Sequence, residues 1–114
     1  MPFLNIMVSK DVTKQQETAV KTKVGKAISV FPGKSESYLM VNIVPDCHLY
    51  FGGKNDTPCA IGELKIFGSS TREYYEKFTA EFCKIMEQEL EIPQDKTYIT
   101  YQGIENWGYN GFNF

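Results

Sequence analysis

The sequence predicts an α+β fold: two βαβ units form a four-stranded mixed sheet with two helices on one face. Three observations predict it. A strand–helix–strand pattern occurs twice, at an offset of about 58 residues. Between the strands, apolar residues repeat at helical spacing along one side only. The length, 114 residues, suits a single domain over 1–114, and each half is too small to bury both faces of its own elements.

Residues 3–8 (FLNIMV) read as the first strand, with Leu4, Ile6 and Val8 facing one side and Phe3, Asn5 and Met7 the other. Both faces are largely apolar, so both expect a cover. Thr13 and Gln16 have the spacing of a capping box, and Val20, Val24, Ala27, Ile28 and Phe31 then recur on one helical face. Lys14, Lys21, Lys23 and Lys26 hold the opposite face, and Phe31-Pro32-Gly33 stops the helix. Residues 37–44 (SYLMVNIV) read as a second strand, parallel to the first because a helix separates them. Gly52-Gly53 signals a turn, and residues 58–67 (PCAIGELKIF) a third strand in which Gly62 suggests a bulge. Ser70 and Glu73 suggest a second capping box, ahead of Tyr74, Phe78, Phe82, Ile85 and Met86 on one helical face ending near Leu90. Residues 97–101 (TYITY) form the last strand of the pattern, and Pro2 and Pro58 read as heading corresponding strands.

Helices on one face leave the other face uncovered. That face offers Phe3, Met7, Tyr38, Met40, Ile61 and Tyr98, more apolar surface than a soluble monomer usually exposes. An oligomer with sheets facing one another covers it. The tail NWGYNGFNF either pairs at a neighbour's edge or lies over its own sheet.

Composition excludes several function classes. Net charge is −2 and the lysines are scattered, so no basic patch points to nucleic acid. No stretch approaches the roughly 20 apolar residues of a membrane span. No basic-then-apolar leader is visible either, so the expected location is cytoplasmic, with any secretion by a route that needs no signal peptide. Cys47, Cys59 and Cys83 are odd in number and contain no CxxC pair, which argues against a disulfide framework or a zinc site. His48 is the only histidine and has no partner set for metal binding or a nucleophile triad. No metal or cofactor is expected.

The start, MPFLNIMV, carries the chemistry. With Met1 removed, Pro2 presents a secondary amine. An α-amine has an ordinary pKa of about 8, and burial in an apolar pocket lowers it. An amine so tuned is a general base near neutral pH, able to move a proton next to a ketone, or a nucleophile toward a carbonyl. With Met1 retained, the same nitrogen is an amide and does neither.

Six stretches extend this reading: the MP start, GKSESYLMVNIVPD, FGGKNDTPCAIGEL, FGSS before the second helix, PQDKTYITY, and NWGYNGFNF. In order and spacing they resemble the macrophage migration inhibitory factor family of the tautomerase superfamily, end to end. The resemblance implies a homotrimer whose sheets enclose a central barrel. It also implies a pocket at each subunit boundary with Pro2 as the proton-transferring base. Lys34 matches the family's pocket lysine, whose ammonium holds a carboxylate or stabilises a developing enolate. Tyr98 matches the pocket tyrosine that comes from the neighbouring subunit. Ile66 and Phe67 match the pocket wall, with backbone N–H groups for a carboxylate. Trp107 and Tyr109 match the lid, and Phe114 the closing phenylalanine.

Three departures bear on specificity. Thr100 stands where many members have asparagine, Phe67 replaces a smaller aliphatic, and the CxxC of some members is absent, since Cys59 is followed by Ala60, Ile61 and Gly62. Without a dithiol, thiol–disulfide exchange has no machinery.

The first functional expectation is therefore a keto–enol tautomerase of the phenylpyruvate or L-dopachrome type, acting on a small aromatic substrate. The resemblance also implies a secreted, cytokine-like immune modulator that engages the class II invariant-chain receptor. The alternative is a non-catalytic receptor-binding protein with a vestigial pocket. Dehalogenation or decarboxylation, which related proteins perform with pocket arginines, is disfavoured because Arg72 is the only arginine and heads a helix.

Overall fold

The computed structural model describes residues 1–114. β1 (Pro2–Val8) leads to α1 (Lys14–Ala27), which tightens into a 3-10 turn at Ile28–Val30. A second 3-10 turn (Glu36–Tyr38) precedes β2 (Met40–Val44). β3 (Ala60–Phe67), α2 (Arg72–Leu90), a 3-10 turn (Gln94–Lys96) and β4 (Thr97–Ile104) follow, and β5 (Gly108–Tyr109) and β6 (Phe112–Asn113) close the chain.

The sheet order is β2-β1-β3-β4. β1 pairs parallel with β2, β3 pairs parallel with β4, and the halves meet where β1 pairs antiparallel with β3. The predicted mixed sheet of two βαβ units is thus the observed one. The repeat offset is 58 throughout: α1 and α2 start at Lys14 and Arg72, and the Asn5–Asn42 pair recurs as Glu63–Thr100. By that register the counterpart of Pro2 is Ala60. Pro58 precedes β3 and is not the equivalent head, because pairing rather than the prolines sets the correspondence.

Both helices cover one face. Leu4, Ile6 and Val8 of β1 and Leu64 and Ile66 of β3 pack with Val20, Val24 and Ile28 of α1's side and Phe78, Phe82 and Met86 of α2 in one buried cluster. The Thr13–Gln16 capping box is formed in both directions. The second box is not: Thr71 is the N-cap and makes no side-chain cap bond, while the Ser70 N–H donates to Tyr75 Oη at 3.1 Å. α2 ends on left-handed Glu91, and Lys10 Nζ donates to the carbonyl of Leu90 at 2.7 Å.

Three strand boundaries differ from the sequence reading. Ser35 Oγ accepts from the Ser37 N–H and draws residues 36–38 into a turn, so β2 starts at Met40. β3 starts at Ala60, and β4 extends to Ile104, whose carbonyl accepts from the Gly68 N–H. Gly62 is no bulge, since pairing is continuous on both sides of it. It admits the ring of Phe82, which lies 2.7 Å from where a Cβ would stand. The Gly52-Gly53 turn forms as read. The tail pairs with itself: Asn110 and Gly111, both at positive φ, turn β5 into β6 as a two-residue hairpin requires.

The open face exposes Met40 and Tyr98, at 68% and 58%. Across its middle runs a polar row. Asn42 Nδ2 donates to Asn5 Oδ1 at 2.9 Å, and Asn5 Nδ2 donates to Glu63 Oε1 at 3.1 Å. Thr100 lies beside Glu63 in register.

Two glycines make a matched test. Gly62→Ala forces a methyl into the Phe82 ring, and we expect a loss of about 1–3 kcal/mol in urea unfolding. Gly25→Ala meets first the flexible end of the Glu36 side chain, while a helix-interior glycine is itself unfavourable by up to about 1 kcal/mol. Its midpoint is expected to hold or rise; equal losses in both variants would refute the Phe82 contact as the cause.

Tyr101 gives a pH test. Burial pushes its phenol up to about 12, and Thr79 Oγ1 lies 2.7 Å from its hydroxyl. A raised folded pKa contributes stability below the unfolded value of 10.0 and loses it as pH rises through 12. The stability gap between the protein and its Tyr101→Phe variant should close across that window; a constant gap would remove the titration.

Candidate functional site

Pro2 is buried at the head of β1, opposite Ile66 of β3. The main chain before it is pinned too, since the Phe67 N–H donates to the Met1 carbonyl at 2.9 Å. Proline fits this place because the first residue of a strand can lack an N–H without breaking the ladder. A cleft of about 430 Å³ opens over Met1 and Pro2, with Phe3, Met40, Trp107 and Tyr109 among its walls.

Lys34 reaches the same spot from the turn after α1. Its N–H donates to the Phe31 carbonyl at 3.0 Å, and its Nζ donates to the Phe67 carbonyl at 3.3 Å. Phe67 therefore ties Lys34 to the chain start through its own carbonyl and N–H. Lys34 also lines an adjoining cavity of about 260 Å³ with Ile66 and Tyr74. The Met1 amine titrates below its usual 8.0, first because burial penalises the charged form, then because the Lys34 ammonium repels that form and donates a hydrogen bond to the neutral amine.

The tail supplies an aromatic wall. Tyr38 meets Tyr109 edge-on at 5.9 Å, Tyr109 stacks on Phe114 at 6.0 Å, and Phe114 lies 5.5 Å from Phe67. The Phe114 N–H donates to the Trp107 carbonyl at 3.1 Å, which fixes the hairpin's width. A row of ring faces suits a flat aryl group, and a nearby cation suits its carboxylate.

The structure brings together Pro2, Lys34, Ile66, Phe67, Trp107, Tyr109 and Phe114. It does not bring Tyr98 or Thr100 to them. Pro2 stands opposite Ile66, whose β4 partner is Gly103, whereas Tyr98 stands opposite Ile61, whose β1 partner is Met7. Five positions along β1 separate the two, roughly 17 Å at strand rise. Tyr98 packs on Phe51 instead, with ring centroids 5.3 Å apart.

The sequence reading placed Tyr38, Met40 and Phe3 on the open face but not in the site; all three line the cleft. The signal was present in the register, since Phe3 and Met40 are paired neighbours one step from Pro2. His48 shares a separate cleft with Ser9, Asp46 and Cys47, but Ser9 Oγ is committed to the Cys59 main chain, accepting from its N–H at 2.8 Å. No group of three or more His, Cys, Asp or Glu side chains is placed to hold a metal. All three cysteines are free thiols. No helix is long and apolar enough to cross a membrane.

A family model described as macrophage migration inhibitory factor (MIF) matches residues 1–114. The macrophage migration inhibitory factor homolog of Wuchereria bancrofti is 30% identical over 119 residues, covering 100% of this chain and 99% of that protein. The crystal structure of Leishmania major MIF2 superimposes with a TM-score of 0.92 at 24% identity, covering 100% and 97% of the two chains, a likeness of fold. A macrophage migration inhibitory factor-like protein from Entamoeba histolytica gives a TM-score of 0.87 at 27% identity over 99% and 98%.

The amine–lysine contact is open to direct test. In Lys34→Ala both Lys34 effects vanish and only burial remains, so the α-amine pKa should rise toward 8.0. NMR titration of the ¹⁵N-labelled amine reads it; an unchanged value would mean that the lysine does not act on the chain start.

Proposed function

The chain belongs to the macrophage migration inhibitory factor family of the tautomerase superfamily, and from that premise we propose that it is a keto–enol tautomerase for small aromatic keto or enol substrates of the phenylpyruvate or dopachrome type. The observation that carries this reading is what meets at the chain start: Pro2 lies under an aromatic-walled cleft, the Phe67 N–H holds the Met1 carbonyl beside it, and the Lys34 ammonium reaches the Phe67 carbonyl. Removal of Met1 does two things at once. It turns the Pro2 nitrogen into an amine, and it releases the Phe67 N–H from the Met1 carbonyl.

The substrate carboxylate takes the released N–H and the Lys34 ammonium, and the aryl ring lies along Tyr109 and Phe114. Pro2 accepts the proton from the carbon beside the carbonyl. Lys34 and Tyr98 of a second copy stabilise the enolate oxygen, which then takes the proton from Pro2. Reversing these steps returns enol to ketone, so atoms and charge balance in both directions. A second copy is part of the reading for two reasons: Tyr98 is roughly 17 Å along the strands from its own Pro2, and the open face exposes Met40 and Tyr98 on either side of its polar row. A homotrimer with sheets facing inward meets both needs. Phe67, tilted against Phe114 with ring centroids 5.5 Å apart, narrows the slot and favours flat rings.

A receptor-binding, cytokine-like role is the second reading. Tyr38, Tyr109, Phe112 and Phe114 form an exposed aromatic rim at the cleft mouth, at 45–56% exposure, a surface suited to a protein partner. Secretion by a route that needs no signal peptide would serve this role and is compatible with the enzyme reading.

The test is the rate of phenylpyruvate enol–keto conversion by protein lacking Met1, beside Pro2→Gly and a Met1-retaining form. We expect Pro2→Gly and the retained form to lose about 10²-fold or more. Because the base must be unprotonated, kcat/KM should rise with pH through the amine pKa, and Lys34→Ala should move that rise to higher pH. No rate above buffer from protein lacking Met1 would end the enzyme reading for this substrate class and leave the receptor reading in its place.

A further inference from the structure

Phe51 has no part in the site as built from one chain. It sits at a tight two-residue turn in the loop between β2 and β3. Its N–H donates to the Lys54 carbonyl at 2.7 Å, the Lys54 N–H donates back at 3.1 Å, and Gly52 and Gly53 both take positive φ. Such a turn has little freedom, so the residue entering it is well fixed. The Phe51 ring lies 5.3 Å from the Tyr98 ring at a tilt of 48°. Lys96 Nζ lies over the same Phe51 ring, 5.2 Å from its centroid. A cation, a turn-held ring and an exposed tyrosine thus form one stack at the start of β4.

Tyr98 needs this support. It projects from an edge strand and is 58% exposed, and its neighbour across the strand is Ile61. An aromatic side chain so placed samples several rotamers unless something holds its flank. We infer that Phe51 is a positioning residue: held by its turn and by Lys96, it sets the angle at which Tyr98 leaves its own sheet and enters the cleft of a second copy of this chain. The inference rests on the reading that Tyr98 completes a neighbour's site. It adds that the loop turn and Lys96, remote from Pro2 in their own chain, act on the reaction next door.

The test uses the assembled protein lacking Met1, with phenylpyruvate as substrate and sedimentation to confirm assembly. Phe51→Ala should lower kcat/KM by about three- to tenfold, chiefly through KM, the size expected for one aromatic pair. The pH profile should not move, since Pro2 and Lys34 are untouched. Phe51→Tyr should restore the rate and Phe51→Leu should not, which separates ring support from simple bulk. Phe51→Ala/Tyr98→Ala should be no worse than Tyr98→Ala alone, because both remove the same contribution. Losses that multiply, or a silent Phe51→Ala beside an impaired Tyr98→Ala, would overturn the role of Phe51 and leave the neighbour reading standing. A silent Tyr98→Ala would overturn the neighbour reading and this role together. Should Phe51→Ala not assemble, the Leu–Tyr contrast decides the matter.

Discussion

The structure depends on β1 being paired on both sides along its length, parallel to β2 and antiparallel to β3. This seam joins two halves that share no other sheet contact. It also places the start of the chain in the middle of a sheet rather than at a loose end. Chain starts are usually mobile. Here Pro2 is buried opposite Ile66, and the Met1 carbonyl is bonded to Phe67. The cleft depends on that anchoring, since a base must be held to transfer a proton to one atom rather than another.

Much of the fold was legible because it rests on periodicity. The alternation in FLNIMV, the helical spacing of Val20, Val24 and Ile28, and the Thr13–Gln16 cap are local patterns with local causes. What failed depended on distant partners. Ser70 and Glu73 have capping-box spacing, but Tyr75 claims the Ser70 N–H. Gly62 looked like a bulge and is a seat for Phe82, twenty residues on. Pro58 looked like the echo of Pro2, but the register makes Ala60 its counterpart. Lys34, Phe67 and the tail residues were found by resemblance, not by spacing, and the structure gathers them at one place. Tyr98, which the resemblance assigns to a neighbouring subunit's pocket, stands far from Pro2 in its own chain, a separation that the strand register shows.

The internal repeat sharpens the comparison of the two ends. Met40 and Tyr98 are counterparts 58 residues apart, as are Phe3 and Ile61. At the Pro2 end, Met40 and Phe3 line the cleft. At the opposite end, Tyr98 and its support from Phe51 take the equivalent place. The same backbone thus presents an apolar wall at one end and a hydroxyl-bearing ring at the other.

The polar row of Asn42, Asn5 and Glu63 has its own consequence for the life of the chain before it meets a partner. An unbroken greasy sheet face would adhere to any exposed apolar surface in a crowded cell. This face would not, because a featureless apolar cover would strip water from three linked side chains and leave their remaining hydrogen-bonding capacity unmet, at about 1–3 kcal/mol for each orphaned group. Only a surface with polar groups at the matching height settles there without that loss. The row acts as a filter on what can settle there: it penalises a purely apolar cover and favours one whose polar groups meet it strand by strand.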